Sequence, residues 1–234
     1  MARRKHPIPR GRYFWGVVLR LLIWLFVKIE IRGLDHVPRQ GGGIVYYNHV
    51  HWLDPVLISG KLNRYNLPIT KIEAASWPLV GILLRGYHVI FITRGMVDRS
   101  ALNATWELLA DGDISVISPE GTRSPTGTLQ AAKEGLAFVG RRSPGASWIP
   151  CAVTGTQAFR WSVPLLKRTP VQLTYGRPFR VLWPGPHPEQ TSREELRDIT
   201  NEAMAQLADL LPADMKGDYA TADPTQHKWL ELIE

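Results

Sequence analysis

Four apolar runs of strand length, "GIVYYN" (43–48), "HVIFIT" (88–93), "ISVIS" (114–118) and "WIPCAVT" (148–154), are each bounded by Gly, Pro or Asp. Helix-like stretches at 55–62, 79–85, 100–110 and 130–141 lie around and between them. Strands that alternate with helices in this way predict an α/β fold with a mostly parallel central sheet flanked by helices. "VQLTYG" and "FRVLW" add one or two further strands. "TSREELRDITNEAMAQLADLL" opens with a capping box, Ser192 and Glu195, and keeps Leu196, Ile199, Met204, Leu207, Leu210 and Leu211 largely on one stripe, which predicts a closing amphipathic helix. The sequence after Pro212 is polar and is expected to be loose. The chain thus divides into an arm (1–32), an α/β domain (33–211) and a tail (212–234).

The arm is basic and apolar at once. Residues 1–32 and 33–186 each carry a net charge of +7, and residues 187–234 carry −7. Positive charge confined to the arm and body suits a polyanion or an anionic membrane surface. It comes with an apolar helix and without an aromatic-basic recognition motif, so nucleic acid is not the expected partner. The apolar run 13–27 holds fifteen residues with Arg20 near its middle. A span needs about 20 apolar residues, and an arginine at mid-membrane costs about 3 kcal/mol. Arg12, Arg20 and Lys28 recur every eighth position, each about 80° around a helix from the last, with Trp15, Leu19, Leu22 and Phe26 on the other side. This pattern predicts a helix lying in the membrane interface, its basic face toward head groups, helped by Arg3, Arg4, Lys5 and Arg10. A buried core helix is the alternative; a secretory signal would need a small-residue cleavage site after the run. Cys151 is the only cysteine, so no intramolecular disulfide forms and a reducing compartment is expected, placing the protein at the cytoplasmic face of the membrane.

Three polar clusters follow three of the strands: His49, His51 and Asp54; Arg94; and "PEGTR" (119–123). The carboxyl ends of parallel strands share one sheet edge, so these distant segments predict one composite site. A metal reading of H-x-H-x-x-D needs further ligands, and His6, His36, His88, His187 and His227 stand apart. A proton-transfer reading needs only His49 as base and Asp54 to fix its tautomer. Asp54 precedes Pro55 and reads as a helix N-cap facing back toward the histidine; His51 reads as a hydrogen-bonded loop residue. Gly121 lets backbone amides approach an oxyanion or phosphate, Arg123 offers a planar fork, and Glu120 is expected to align an arginine or hold a substrate hydroxyl. Lys71, Lys133 and Arg94 are further cationic candidates.

In order and spacing, "NHVHWLD", "VIFITRG", "SPEGTRSPTG" and "WIPCAVTGT" resemble the motifs of the glycerolipid acyltransferases, which include 1-acylglycerol-3-phosphate O-acyltransferase (lysophosphatidic acid acyltransferase). "KIEAASWPLVGILLRG" and "AAKEG" fit the connecting pattern, and the resemblance covers roughly residues 30–185. It implies acyl transfer from an acyl-thioester, acyl-CoA or acyl-carrier protein, to a hydroxyl of a lysophospholipid, without metal or other cofactor. It also implies His49 as general base, Asp54 as its partner, Arg94 and Arg123 as head-group contacts, and Glu120, Gly121 and Thr122 in the acceptor-binding turn. Pro150 stands as the fourth-motif proline. His51 and Thr93 depart from the family pattern, which leaves an ornithine-lipid or glycolipid acceptor open. A non-catalytic membrane-binding module and a metal-dependent hydrolase are the readings from other classes.

Overall fold

The computed structural model describes residues 8–9, 11–78, 80–93, 98–159 and 168–233. Helix α1 (Gly11–Phe26) runs directly into strand β1 (Val27–Arg32). Next come β2 (Gly43–Tyr47), α2 (Asp54–Lys61), β3 (Asn66–Lys71), α3 (Val80–Gly86), β4 (Ile90–Ile92), α4 (Arg99–Ala110), β5 (Ile114–Ile117), α5 (Gly135–Gly140) and β6 (Ser147–Thr154). The chain closes with β7 (Thr169–Tyr175), β8 (Phe179–Val181), α6 (Arg193–Asp209) and β9 (Leu230–Leu232). The strands form one sheet in the order β1-β7-β6-β2-β5-β3-β4, with β8 beside β6 and β9 beside β8. β2 to β6 are mutually parallel, whereas β7 and β8 run antiparallel to β6. The expected α/β architecture is therefore the observed one.

The central strands are apolar throughout because both faces are covered. In β2, Val45 and Tyr47 enter a core shared with α1, α2 and α3, while Ile44 and Tyr46 enter a second core under α5 and α6. β6 divides in the same way, Ile149, Cys151 and Val153 against Trp148 and Ala152. α6 begins at the expected capping box, with Ser192 accepting from the Glu195 amide and Glu195 accepting from the Ser192 amide.

Several expectations differ from the structure. β1 lies within the stretch assigned to the arm; its alternation of Val27, Ile29 and Ile31 with charged residues is a strand pattern, and it pairs in parallel with β7. β3 carries Pro68 in its interior, a residue that argues against a central strand, yet it lies between β5 and β4. The helix expected over 130–141 is reduced to α5, because the amides of Leu129, Gln130 and Lys133 bond to Met215, Glu120 and Pro119 instead. The tail is not loose: Tyr219 and Leu230 are buried, and β9 pairs with β8.

The largest correction concerns α1, whose Arg12 turns inward while Arg20 stays exposed. Arg12 is 6% exposed; its guanidinium donates to the carbonyls of Tyr87 (2.9 Å) and Asn66 (2.6 Å) and lies against the Tyr87 and Tyr65 rings. Burial pulls its pKa down to about 10, so it remains charged at neutral pH. Arg20 donates to the Gly60 carbonyl on α2, and Lys28 belongs to β1. Leu19 and Ile23 are buried, and Trp15 and Phe26 pack beside them, so these residues join the inner stripe. Tyr13, Phe14, Val17, Leu21 and Trp24 form the exposed side. Arg12→Ala should destabilise the protein by about 2–3 kcal/mol in equilibrium denaturation, since it strips partners from two carbonyls. Arg12→Lys should recover less than half of that loss, because one ammonium cannot replace the stacked fork.

Candidate active site

The loop after β2 is fixed before any catalytic group is considered. Asn48, 1% exposed, donates to the Val153 carbonyl at 2.9 Å and accepts from the Val153 amide at 2.7 Å, so its side chain continues the pairing of β2 with β6. Asp54 is fully buried, and one oxygen, Oδ2, accepts from His49 Nδ1 (3.0 Å), the Val50 amide (2.8 Å) and the His51 amide (2.7 Å). Asp54 is the first residue of α2 rather than its N-cap; Leu53 holds the cap position without a side-chain bond. The carboxylate is thus free to close the loop behind it. A carboxylate can only accept, so Nδ1 carries the proton and Nε2 keeps its lone pair. The Tyr47 ring meets the imidazole edge-on at 5.6 Å.

The segment after β5 holds the other side of His49. Glu120, 2% exposed, accepts from the His49 amide at 2.7 Å through Oε1, and from the Gln130 amide and side chain at 3.1 Å through Oε2. The Ser124 amide donates to the His49 carbonyl at 2.7 Å. Both halves of the His49 backbone are therefore tied to the third-motif segment. Burial pushes the Glu120 carboxyl up, and the donors from His49 and Gln130 offset part of that rise. Its oxygens are engaged by His49 and Gln130, which differs from the expectation that Glu120 aligns an arginine or holds a hydroxyl.

Gly121 adopts φ 70°, and its amide closes a turn onto the Ser118 carbonyl. A Cβ there would lie 3.2 Å from Lys133 Cδ and 3.3 Å from Nζ, so the Lys133 side chain rests across the turn. Thr122 and Arg123 are exposed and line the same cavity as His49, Ser118 and Lys71. That cavity measures about 420 Å³ and runs from this polar rim into a wall that includes Trp77, Val80, Leu84, Ile92, Leu102 and Phe138. Its size and apolar lining are those of a ligand site. Lys71 ends β3, with its ammonium 5.3 Å from the centre of the Trp77 ring. Arg94 lies outside the described residues; Ile92, at the end of the strand before it, lines the cavity.

His51 turns to a different set of neighbours. Its ring lies 5.5 Å from Trp52 and 5.7 Å from Phe159, Nδ1 accepts weakly from the Leu53 amide at 3.4 Å, and burial lowers its pKa. Among the described residues, no three His, Cys, Asp or Glu side chains are grouped as metal ligands would be. Cys151 is fully buried and its thiol is pushed far up by that burial, which suits packing rather than nucleophilic attack. Sequence reasoning passed over Asn48 and Gln130. Asn48 had a signal, as a polar residue ending an apolar strand, whereas nothing in the sequence marks Gln130 as the partner of Glu120.

Known proteins share this arrangement of elements. An acyltransferase family model matches residues 28–154, more than half of the chain. A lyso-ornithine lipid O-acyltransferase of Rhizobium meliloti is 28% identical over 173 residues, 73% of this chain and 56% of its own length. A chloroplast 1-acyl-sn-glycerol-3-phosphate acyltransferase of Arabidopsis thaliana is 34% identical over 158 residues, 63% of this chain and 43% of its own length. The chain thus spans less than two thirds of these curated relatives. The crystal structure of the 1-acyl-sn-glycerophosphate acyltransferase PlsC from Thermotoga maritima superposes with a TM-score of 0.58 at 26% identity, covering 82% of this chain and 77% of the other. With a sheet that brings His49, Asp54 and the 118–124 segment to one edge, and a family model matched across those same residues, this chain belongs to the acyltransferase family.

Proposed function

We propose that the protein moves a fatty acyl chain from an acyl-thioester to a hydroxyl of a lysophospholipid, with 1-acylglycerol-3-phosphate as the first acceptor to test. The observation that carries this reading is the His49–Asp54 pair at 3.0 Å, set at the polar rim of an apolar cavity. His49 Nε2 takes the proton of the acceptor hydroxyl as the oxygen attacks the thioester carbonyl. Asp54 stabilises the imidazolium through Nδ1. As the C–S bond breaks, the imidazolium returns the proton to the leaving thiolate, which gives ester and free thiol with His49 restored. The apolar wall receives an acyl chain, and Arg123, Lys71 and Lys133, with Arg94 from the sequence, supply positive charge for a phosphate. The donor, acyl-CoA or acyl-carrier protein, is a substrate, and the scheme uses no cofactor.

A lyso-ornithine lipid is the second acceptor class, favoured by the Rhizobium relative and by the His51 and Thr93 departures. Thiol release measured with the purified protein and both lyso-lipids separates the two: faster turnover on the phosphate-free acceptor would overturn the phosphatidate reading.

We also propose that α1 attaches the protein to the cytoplasmic membrane surface, chiefly through its exposed apolar side chains. Tyr13, Phe14 and Val17 are 64–67% exposed, and Leu21 and Trp24 more than half. Ile72 and Ile82 are exposed on the elements of the cavity wall, and α1 packs on α3. Among the described residues, no helix is long and apolar enough to cross a membrane.

His49→Ala should lower kcat by about 100- to 10,000-fold in a protein that still folds but melts somewhat lower, having lost one donor to buried Asp54, and near-normal turnover would sink the mechanism. Arg123→Ala should raise the acceptor KM by tenfold or more, because a charge-assisted contact is worth about 1.5–3 kcal/mol, while the thioester KM stays put. In flotation with vesicles of phosphatidylglycerol and phosphatidylethanolamine, the Val17→Glu, Leu21→Glu double variant should bind at least about tenfold more weakly, since each buried apolar side chain contributes about 1.5–3 kcal/mol. Undiminished binding would show that another surface makes the attachment.

A further inference from the structure

The tail beyond α6 lies outside the matched family region, and its sequence looks like a solvated end. Its backbone nevertheless bonds in both directions to the segment that carries Gln130 and Lys133. The Leu129 amide donates to the Met215 carbonyl at 2.9 Å, and the Asp218 amide donates to the Leu129 carbonyl at 3.2 Å. Tyr219, 8% exposed, accepts from the Ala132 amide at 3.0 Å and donates to Asn201 Oδ1 on α6 at 3.1 Å, so its hydroxyl joins the tail, the 129–133 segment and a helix. Gly217 adopts φ 48°, and a Cβ there would lie 2.1 Å from the Leu129 carbonyl oxygen, so the two chains touch backbone to backbone. Leu129, Tyr219 and Met215 meet in the core under α6.

The 129–133 segment passes this restraint on to the site. Gln130 donates twice to Glu120, which accepts from the His49 amide; the Lys133 amide donates to the Pro119 carbonyl, and the Lys133 side chain crosses Gly121. With the tail absent, the Leu129 and Ala132 amides and the Leu129 carbonyl would lose these partners.

We propose that residues 213–219 act as a strap that positions the acceptor-binding turn, residues 120–123, with Tyr219 as the positioning residue that closes it. The inference rests on the acceptor role given to that turn. Tyr219 does not line the cavity; it acts through Ala132, the 129–133 segment and Glu120. The strap's hydrogen bonds run to the 129–133 segment and through it to the polar turn, so it should govern the acceptor more than the thioester.

The test compares the full-length protein with Tyr219→Phe, which keeps the ring in the core and removes only the hydroxyl, and with Gly217→Ala, which forces the two backbones apart. Amide exchange over residues 129–133 and steady-state kinetics on 1-acylglycerol-3-phosphate with an acyl-CoA donor are read on each. Tyr219→Phe should speed exchange in that segment and raise the acceptor KM about two- to tenfold, with the donor KM unchanged. Gly217→Ala should move both readouts further in the same direction; if it does not fold, Tyr219→Phe decides alone. Unchanged exchange in Tyr219→Phe, faster exchange with an unaltered acceptor KM, or equal shifts in both KM values would each overturn the strap. Arg123→Ala run alongside separates the two levels. If it leaves the acceptor KM unchanged, the acceptor role of the turn fails; if it raises that KM while Tyr219→Phe does not, the strap alone fails.

Discussion

A carboxylate with no exposed surface needs donors, and Asp54 gathers three of them on Oδ2 by bending the chain around itself, while Oδ1 has no hydrogen-bond partner. The Val50 and His51 amides and the His49 ring all reach one oxygen, which cannot happen unless residues 49–53 form a tight loop between β2 and α2. Burying an unpaired charge costs several kcal/mol, so the loop and the ionised side chain require each other. The catalytic geometry proposed for His49 is a by-product of this requirement: the imidazole is one of the donors that the buried carboxylate needs. Remaining contacts at the site extend the same logic outward, since the backbone of the bent loop is itself paired with Glu120, Ser124 and, through Asn48, with β6.

A parallel sheet supplies what that loop cannot, which is adjacency between segments far apart in sequence. β2, β5 and β6 lie side by side in one direction, so the residues that follow each strand emerge at one edge. His49 and Glu120 are 71 positions apart yet share a 2.7 Å hydrogen bond because β2 and β5 are neighbours in register. Covering both faces with helices stiffens the sheet, and a stiff strand end would keep the proposed base His49 within hydrogen-bond reach of a substrate.

Much of this was legible, and the reasons why some was not are physical. The apolar strand runs, the capping box of α6 and the composite edge all follow from local composition and a topological rule. β3 was not among the expected strands; it carries Pro68, and a proline removes one ladder donor while leaving the strand's other pairings intact. Asp54 is the first residue of α2 rather than its cap, yet it faces back toward the histidine as expected, with its carboxylate bonded to residues 49–51. The partners of Glu120 and of the tail are tertiary: no periodicity in the sequence signals that Leu129 will pair with Met215 and Asp218.

The orientation of α1 is the clearest case in which counting residues around a helix was not enough. A helical wheel places arginine with the polar side, and a surface helix ordinarily turns that side to water. Here Arg12 finds two carbonyls and two aromatic rings inside the protein, partners that satisfy a guanidinium better than the wheel anticipates. Once Arg12, Leu19 and Ile23 point inward, the helix has Tyr13, Phe14, Val17 and Leu21 left to present outward. Isolated exposed apolar residues need no explanation, but a run of them along one helix, which packs on α3 where Ile82 is exposed too, suits the membrane contact proposed for it. A bilayer as that surface would set α3, and with it the Val80 and Leu84 side of the cavity, against the acyl region of the membrane. A lipid acceptor could then reach His49 with its chain still in an apolar medium, which removes the cost of carrying that chain through water, about 0.8 kcal/mol for each CH₂ group.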